Sequence, residues 1–454
     1  MNANRLSNNV EPRILFVDMN SFFASCEQQV NYWLRGRPVA VCVYVGQRGC
    51  VIAPSIEAKQ RGVKLGMRLD EAMRLCPDLV PIETNPARYR EFHIKVIDVL
   101  KKFSDDVLPK SIDEAVVDLT RFRLVYKDPV AVARAIKQAI RTDVGDWMQC
   151  SIGVAPNVFL AKLGTEIQKP DGLVVITPDT IDGVLATLQL TDLPGIGTRM
   201  AARLEHGGIH SPLALRYAAP ERLRAICKSV VGWHWHLRLN FGGEVDLAGS
   251  AYKSMQAMRT ISSEQRHSTD KLLAVLTALC LTLERRLVGQ EVFARMLFVN
   301  CGYESGRHYA DEMRLEIPLQ DGIRIQKLVL DRMERFRRQH LCEPVLNAQI
   351  TRLCVGVNRF IPAEAVQYTL FDESTRESPF RNGDSRNGRA REDKLRKTMY
   401  DIKDRFGSDK LLRAVQLSDS PVWHDVIGFG SIKDLHGEDS IFTKTNAWET
   451  PTKE

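Results

Sequence analysis

The sequence predicts an α+β protein made of several domains, and three features of the chain lead to this prediction. Its 454 residues exceed what a single hydrophobic core normally organises. Between residues 12 and 176, short β-branched runs alternate with amphipathic helical segments, and a similar mixture returns at 254–360. The stretch 177–243 instead reads as short helices separated by glycine and proline turns.

The first mixed segment has a regular succession of elements. Its apolar and β-branched runs predict strands at Ile14–Val17, Pro38–Val45, Ala115–Leu119, Cys150–Val154 and Leu173–Ile176. Its helical spacings predict helices at Ser21–Gln29, Glu57–Leu75 with breaks at Gly62 and Gly66, Arg90–Phe103, Val130–Val144 and Asn157–Ile167.

The remaining chain changes character several times. Gly242–Ser250 is polar and suits a tether, and β-rich runs follow at Arg295–Asn300 and Ile350–Val357. Residues 254–360 carry 16 Lys and Arg against 12 Asp and Glu. Ser374–Arg391 has almost no apolar residue and is predicted to be a disordered linker, with a short helix after it at Lys394–Arg405.

Composition narrows the class of protein. An apolar fraction of 44% and a charged fraction of 26% are typical of globular proteins. The net charge of +7 favours polyanionic partners, although many soluble enzymes are mildly basic. Ten cysteines without a C-x-x-C pair indicate reduced thiols rather than a zinc ribbon or disulfide framework. No signal-peptide core and no apolar run of about 20 residues is found, so we expect a soluble cytoplasmic protein without membrane contact.

The strongest candidate site consists of carboxylates. Asp18 ends the first strand, and Asp113 and Glu114 stand side by side. Mg²⁺ prefers oxygen ligands, and two ions roughly 4 Å apart can clamp a phosphoryl group during transfer. Neighbouring residues on a regular strand face opposite ways, so Asp113 and Glu114 can share one site only at a turn, which Pro109 makes plausible. The alternative is that an Asp at a strand end merely caps the next helix.

Five segments, in the same order, resemble the Y family of translesion DNA polymerases, close to its UmuC and DinB branches. They are Asp18–Glu27 (DMNSFFASCE), Ser111–Ala115 (SIDEA), Glu57–Gly66 (EAKQRGVKLG), Lys169–Gly172 (KPDG) and Leu193–Gly197 (LPGIG). The resemblance covers roughly residues 12 to 360. It implies a DNA-directed DNA polymerase of low fidelity that extends primers across damaged template with deoxynucleoside triphosphates. We expect a monomer associated with the nucleoid.

The resemblance also implies a right-hand polymerase fold with palm, small fingers, helical thumb and α/β little finger. The implied divisions are a palm at 12–21 and 85–176, fingers at 22–84, a thumb with a helix-hairpin-helix at 177–243, a tether at 244–253, a little finger at 254–360, and a clamp-binding peptide, linker and C-terminal extension at 361–454.

By the same resemblance, Asp18, Asp113 and Glu114 are the catalytic carboxylates and hold two Mg²⁺ ions, with the backbone carbonyl of Met19 as a further ligand. One ion would lower the pKa of the primer hydroxyl, and the other would neutralise the triphosphate. The roles of these residues are expectations from the family pattern.

The nucleotide-binding residues implied by the resemblance are Phe22, Phe23, Lys59 and Lys169. Phe23 would be the steric gate that collides with a ribose 2′-hydroxyl, whereas spacing alone favours a pair of helix-core aromatics. Lys59 and Lys169 would contact the triphosphate, although Lys59 could also lie on a solvated helix face. Ile56 replaces the Tyr usual in DinB-type enzymes, which leaves DinB-like and UmuC-like behaviour open.

Two segments are candidates for holding DNA and a partner. Gly195 and Gly197 of the hairpin would let backbone N–H groups approach a DNA phosphate, but an ordinary turn is the alternative. Gln367, Leu370 and Phe371 match the Q-x-x-L-F peptide that docks on a bacterial sliding clamp, with apolar anchors for a pocket. The competing interpretation is a strand edge that covers the last domain.

Two other functions compete with an active polymerase. One is a catalytically inactive, clamp-tethered scaffold of the ImuB type, which would have lost the carboxylates that this chain keeps. The other is a cyclase with a palm domain, which shares two-metal chemistry but lacks the hairpin and the basic domain after it.

Overall fold

The computed structural model describes residues 10–46, 49–243, 253–341, 343–366, 385–406 and 411. They divide into two compact units, the first containing residues 10–243 and the second residues 253–406. Each unit combines helices with antiparallel or mixed sheet, which confirms the predicted α+β multidomain class.

Two sheets form in the first unit. Its strands are β1 Ile14–Met19, β2 Val39–Cys42, β3 Val51–Pro54, β4 Val80–Glu83, β5 Val107–Pro109, β6 Glu114–Asp118, β7 Cys150–Ala155 and β8 Leu173–Val175. The larger sheet has the order β5-β6-β1-β7-β8, with β1 in the centre and antiparallel to both neighbours. The smaller sheet has the order β3-β2-β4.

Eleven helices accompany these sheets in the described part of the first unit. They are α1 Phe22–Val30, α2 Ile56–Gln60, α3 Leu69–Leu75, α4 Pro86–Lys101, α5 Pro129–Ala139, α6 Val158–Ile167, α7 Ile181–Ala186, α8 Thr198–His206, α9 Pro212–Tyr217, α10 Pro220–Cys227 and α11 Val231–Leu239. Their starts follow capping chemistry: the side chain of Asn157, for example, accepts a hydrogen bond from the Leu160 amide at the start of α6.

Strand β1 is buried on both faces. Leu15 and Val17 belong to a core that α4 and α5 complete, whereas Ile14 and Phe16 belong to a second core with α6 and the helices after it. Because alternate residues face opposite sides of a strand, all four residues of Ile14–Val17 must be apolar to fill the two cores. The residues that end β1 therefore follow directly on a strand that lies between the two cores of this unit.

The second unit is a four-stranded antiparallel sheet with helices. Its strands are β9 Ser254–Thr260, β10 Val292–Tyr303, β11 His308–Leu319 and β12 Ile350–Pro362, in the order β11-β10-β12-β9. Its helices are α12 Ser263–Arg266, α13 Thr269–Gly289, α14 Gly322–His340 and α15 Ser385–Phe406. Apolar residues of α13 and α14 pack on one face of the sheet.

The described helices confirm two predictions and correct one. The breaks predicted at Gly62 and Gly66 divide Glu57–Leu75 into α2 and α3, because both glycines take positive φ angles that end helical geometry. The disordered linker was predicted to reach Arg391, which is wrong: helix α15 begins at Ser385. The residues shared by the predicted linker and α15 include Arg386, Arg389, Ala390 and Arg391, which are good helix formers although the stretch is almost without apolar side chains. The helix predicted at Lys394–Arg405 is confirmed within α15.

Other predictions fall elsewhere in the chain. The clamp peptide Gln367–Phe371 and most of Gly242–Ser250 are outside the described residues. Within the described part of the chain, no helix is long and apolar enough to cross a membrane.

Candidate active site

Asp18 and Glu114 are directly opposed across two central strands. The register of β1 and β6 pairs Asp18 with Glu114, and Asp18 follows Phe16 on the side of the sheet that α6 covers. Asp18 is buried, at 6% exposure, and Glu114 is half-buried. Two acidic side chains therefore lie side by side where β1 ends and β6 begins.

A turn brings Asp113 to the same place. The Lys110 amide donates to the Glu114 carbonyl at 2.8 Å, and the Met19 amide donates to the Asp113 carbonyl at 2.9 Å. The turn is thus hydrogen-bonded to the end of β1, and strand β6 begins after it, at Glu114. The side chain of Ser111 donates to the Asp113 carboxylate. This turn is the geometry that the sequence required for Asp113 and Glu114 to share a site.

Lys162, which sequence reasoning missed, lies among these carboxylates. Its Nζ is 2.6 Å from Asp18 Oδ2, 2.6 Å from Glu114 Oε1 and 2.9 Å from Glu166 Oε1. Helix α6 comes this close because Gly153 on β7 leaves room for it: a Cβ there would lie 1.9 Å from the Ala161 carbonyl oxygen. A lysine five residues after a helix cap has no sequence signal that separates it from a surface lysine.

The predicted Lys169 also reaches the carboxylates. Its Nζ is 3.1 Å from Asp18 Oδ1 and 3.0 Å from Glu166 Oε1. Both oxygens of Asp18 are therefore paired with lysines. Nearby, the Asn20 side-chain oxygen accepts from the Asp171 amide at 2.7 Å, which fixes the segment after Lys169 against the end of β1.

The charges of the site influence one another. Burial raises the pKa of the Glu114 carboxyl, and the hydrogen bond and charge of Lys162 oppose that shift only in part. Burial would lower the pKa of Lys162, but the charge of Asp18 and the hydrogen bonds to the carboxylates outweigh it and hold that pKa above its ordinary value. Lys59 is exposed on α2, yet partial desolvation by its surroundings and then the charge of Lys169 lower the pKa of its ammonium.

A cleft of about 560 Å³ collects the predicted site residues. The three carboxylates, Met19 and all four predicted nucleotide-binding residues line it, as do Ile56 and Lys162. Phe23 is stacked on the buried Tyr89 with ring centroids 4.5 Å apart and an angle of 18° between the rings, whereas Phe22 is buried in the core. Cationic and anionic side chains thus line one space.

The donor set fits a hard divalent cation. Among the residues that the structure describes, no three His, Cys, Asp or Glu side chains form a complete metal site. One carboxylate oxygen of Asp18 and one of Glu114 nevertheless point at the same position, which the ammonium of Lys162 occupies. Mg²⁺ is commonly held by one or two carboxylates, with waters and substrate phosphates as the other ligands.

The predicted hairpin lies in the helical segment of the first unit. Gly195 has a φ of +85°, and Gly197 precedes α8 with an extended backbone and open space, free of heavy atoms within 4 Å, where a Cβ would project. Leu193 and Ile196 are buried on either side. The backbone between them is therefore presented outward while its apolar side chains anchor the turn.

The arginines of α14 have protein partners. Both Nε and Nη2 of Arg332 donate to the Asp311 carboxylate, and Arg337 and Arg338 pair with Glu334. Ion pairs of this kind are typical of a solvated helix face.

Comparison with known proteins identifies relatives of both units. The model of the impB/mucB/samB family matches residues 17–166, and that of its C-terminal domain matches residues 252–370. DNA polymerase IV of Moorella thermoacetica is 43% identical over 200 residues, which are 44% of this chain and 50% of that protein. DNA polymerase IV of Bacillus velezensis is 30% identical over 333 residues, which are 72% of this chain and 79% of that protein.

The alignments differ in extent. The chain spans about half the length of the first of these relatives, and four-fifths of the second. A solved structure of a Y-family DNA polymerase chimera matches with a TM-score of 0.66 at 24% identity and covers 77% of this chain and 99% of its own. That match shows a shared fold across both units. The chain belongs to the family of the DNA polymerases IV, the DinB- and UmuC-like branch of the Y family.

Proposed function

We propose that this chain is a template-directed DNA polymerase of low fidelity that extends primers across damaged template. The observation that carries the proposal is the cleft that Asp18, Asp113 and Glu114 line together with Lys59 and Lys169. Carboxylates for cations and lysines for phosphates are the two sets of groups that nucleotidyl transfer needs. Membership in the polymerase IV family supports the same reaction.

The carboxylates would hold the metal ions. In this proposal Asp18, Asp113, Glu114 and the Met19 carbonyl bind two Mg²⁺ ions. Bound there, the ions would supply activation of the primer 3′-hydroxyl and neutralisation of the triphosphate and the departing pyrophosphate. The β1–β6 register and the turn at Asp113 support this role, because they hold the three side chains at one end of the sheet.

Other cleft residues would bind and select the nucleotide. Lys59 and Lys169 are proposed to contact the triphosphate as point charges. Phe23 is proposed to lie under the sugar and exclude a 2′-hydroxyl by collision. Ile56 is apolar and lines the same cleft, so its side chain can offer packing but no hydrogen bond to the nucleotide.

The larger divisions of the chain would hold DNA and the clamp. We assign the five-stranded sheet to the palm, the three-stranded sheet to the fingers, residues 177–243 to the thumb and the second unit to the little finger. Gly195 and Gly197 would contact the DNA backbone, and Gln367, Leu370 and Phe371 would bind a sliding clamp. A monomer that acts in the cytoplasm, on nucleoid DNA, completes the proposal.

Primer extension on plain and abasic templates, with Mg²⁺ and four deoxynucleotides, tests the proposal. We expect Asp113→Ala to bind primer-template DNA normally but to extend it at least about 100-fold more slowly, because the ion ligand is lost while the DNA-holding surface is intact. Asp98→Ala, which removes an exposed carboxylate on α4 outside the cleft, is the matched control.

Two results would contradict this assignment in different ways. Normal extension by Asp113→Ala would remove Asp113 from the mechanism. Absence of extension by the unaltered chain on either template would instead favour a clamp-tethered scaffold without polymerase activity.

A further inference from the structure

The ammonium group of Lys162 is surrounded by acidic oxygens. It lies 2.6 Å from one oxygen each of Asp18 and Glu114 and 2.9 Å from Glu166. The centroid of the Phe16 ring lies 5.1 Å from the ammonium, which limits its access to water on that side. The Lys162 side chain is only 21% exposed, so these contacts form in a partly dehydrated environment where they are strong.

The arrangement answers an electrostatic problem in the fold. Like charges directly opposite each other on neighbouring strands are unfavourable, and Asp18 and Glu114 are such a pair at the buried end of β1. Lys162 bridges the pair with one positive charge. Lys169 contacts the other oxygen of Asp18, Oδ1, and so does not take part in the contact that Lys162 makes with both Asp18 and Glu114.

We propose that Lys162 is an internal counter-ion that occupies the cation position between Asp18 and Glu114, and that a divalent cation binds by displacing it. This inference rests on the proposed metal-dependent function. The oxygens that would ligate a cation already accept hydrogen bonds from the ammonium, so the ion and the ammonium compete for the same lone pairs. Lys162 therefore holds the carboxylates in position and competes with the ion they are arranged to bind.

The surroundings provide a place for the displaced ammonium. Lysine has a flexible four-carbon stem, and Glu166, one turn further along α6, is 42% exposed on its side chain and already contacts Lys162. The ammonium can therefore keep the Glu166 partner while it releases Asp18 and Glu114. Exchange of one cation for another leaves the carboxylates with a positive partner throughout.

Binding of Mn²⁺ to the full chain, measured by the loss of the free-ion signal in electron paramagnetic resonance without DNA or nucleotide, tests the proposal. We expect Lys162→Met to bind Mn²⁺ about tenfold more tightly than the unaltered chain, because a charge-assisted competitor is lost. The melting temperature of Lys162→Met without metal should fall, and Mn²⁺ should restore it. A purely structural role would lower the melting temperature without raising the affinity.

Two further variants complete the test. Lys162→Arg keeps the charge and should keep Mn²⁺ affinity near that of the unaltered chain. Lys102→Met removes an exposed lysine that pairs with Asp143, so it should change neither the Mn²⁺ affinity nor the effect of Mn²⁺ on melting.

The outcomes separate this inference from the proposed function. Unchanged or weaker Mn²⁺ binding by a folded Lys162→Met would overturn the role of Lys162, whether or not the chain extends primers. If Lys162→Met is too unstable to purify, tighter binding by the milder Lys162→Gln would support the proposal and unchanged binding would refute it. Primer extension that fails in the unaltered chain would contradict the polymerase activity alone.

Discussion

The ring of Phe23 is held by the protein core rather than left free in the cleft. It stacks on Tyr89, whose side chain is fully buried on α4, with ring centroids 4.5 Å apart. Stacked aromatic pairs favour one orientation, so the edge of Phe23 that lines the cleft has a fixed position. A gate that excludes by collision needs this rigidity, because a mobile ring would yield to a 2′-hydroxyl.

Phe23→Ala should therefore admit ribonucleotides. We expect discrimination between deoxy- and ribonucleotides to fall by about 100-fold, because the collision that separates them is removed. The measurement is the ratio of incorporation efficiencies for the two sugars on the same primer-template. Phe23→Tyr keeps the ring and should keep the discrimination; an unchanged ratio in Phe23→Ala would show that another group excludes the hydroxyl.

The residues of the cleft differ in how far sequence could identify them. Asp18 and the Asp113–Glu114 pair were singled out by the resemblance to the family, whereas the strand end and the turn by themselves left helix capping open. Lys162 could not be predicted, because its role depends on how closely α6 packs on β7, and that distance is set by the absence of a side chain at Gly153. A contact between residues 144 positions apart has no local sequence signal.

At the scale of elements, the two glycines in the turn before α8 differ in backbone conformation. Gly195 has a φ of +85°, which strains any residue with a Cβ, whereas Gly197 has an extended conformation that every residue adopts. A Cβ added at Gly197 would meet no heavy atom within 4 Å among the described residues. Substitution at Gly197 thus changes the outward surface without disturbing the fold.

Gly197→Ala should weaken DNA binding but leave stability nearly unchanged. The added methyl group keeps a phosphate from approaching the backbone N–H groups, and we expect a loss of roughly threefold to tenfold in affinity, since one phosphate contact is affected among several. Fluorescence anisotropy with labelled primer-template and the melting temperature are the two readouts. Gly183→Ala, in α7 and also facing open space, is the control; equal affinity in both variants would argue for an ordinary turn.

The helix α15 is held on the second unit by a buried charge cluster. Arg396, at 7% side-chain exposure, donates to Asp321 at 2.8 Å and to Asp393 at 2.7 Å, and it lies 3.8 Å from Glu284, which is fully buried. The Tyr400 hydroxyl donates to Glu284 at 2.8 Å. The C-terminal extension, for which the sequence suggested no role, therefore contributes α15 to the core of this unit.

Arg396→Met should destabilise the second unit substantially. Removing one partner of a buried ion cluster leaves acidic groups without compensation, and we expect a loss of about 3 kcal/mol. Calorimetric melting of the full chain measures it as a downward shift of one transition. Lys397→Met removes an exposed ion pair with Glu291 and should cost no more than about 1 kcal/mol. Equal shifts in the two variants would mean that α15 contributes little to the unit.

At the scale of the whole molecule, the sequence predicts the order of helices and strands but not which strands pair in a sheet. The hydrophobic runs of β1 and β7 indicate strands, but the position of β1 between β6 and β7 depends on contacts about 100 and 135 residues away along the chain. Strands β9 and β11, which were not predicted, expose alternate and mostly polar residues on one face and lack a continuous apolar run.

The segment between the sheet of the second unit and α15 carries the last prediction, which concerns how the proposed polymerase would be kept on its template. Gln367, Leu370 and Phe371 lie there, outside the described residues, and two apolar anchors in a short peptide can supply most of its binding energy. Binding to a clamp that encircles DNA would raise the local concentration of the polymerase at the primer end without altering the cleft. Activity with the clamp and activity without it should therefore respond differently to changes in this segment.

We expect Leu370→Ala combined with Phe371→Ala to lose at least about tenfold of the clamp affinity and most of the clamp-stimulated synthesis, because both pocket anchors are removed. Extension without the clamp should be unchanged, since the two anchors are proposed to act on the clamp alone. Processivity on a circular primed template, with and without loaded clamp, is the measurement. Tyr368→Ala with Thr369→Ala alters only the variable positions of the motif and serves as the matched control. If stimulation survives in the Leu370 and Phe371 variant, or is lost equally in the control, the peptide does not bind the clamp through these anchors.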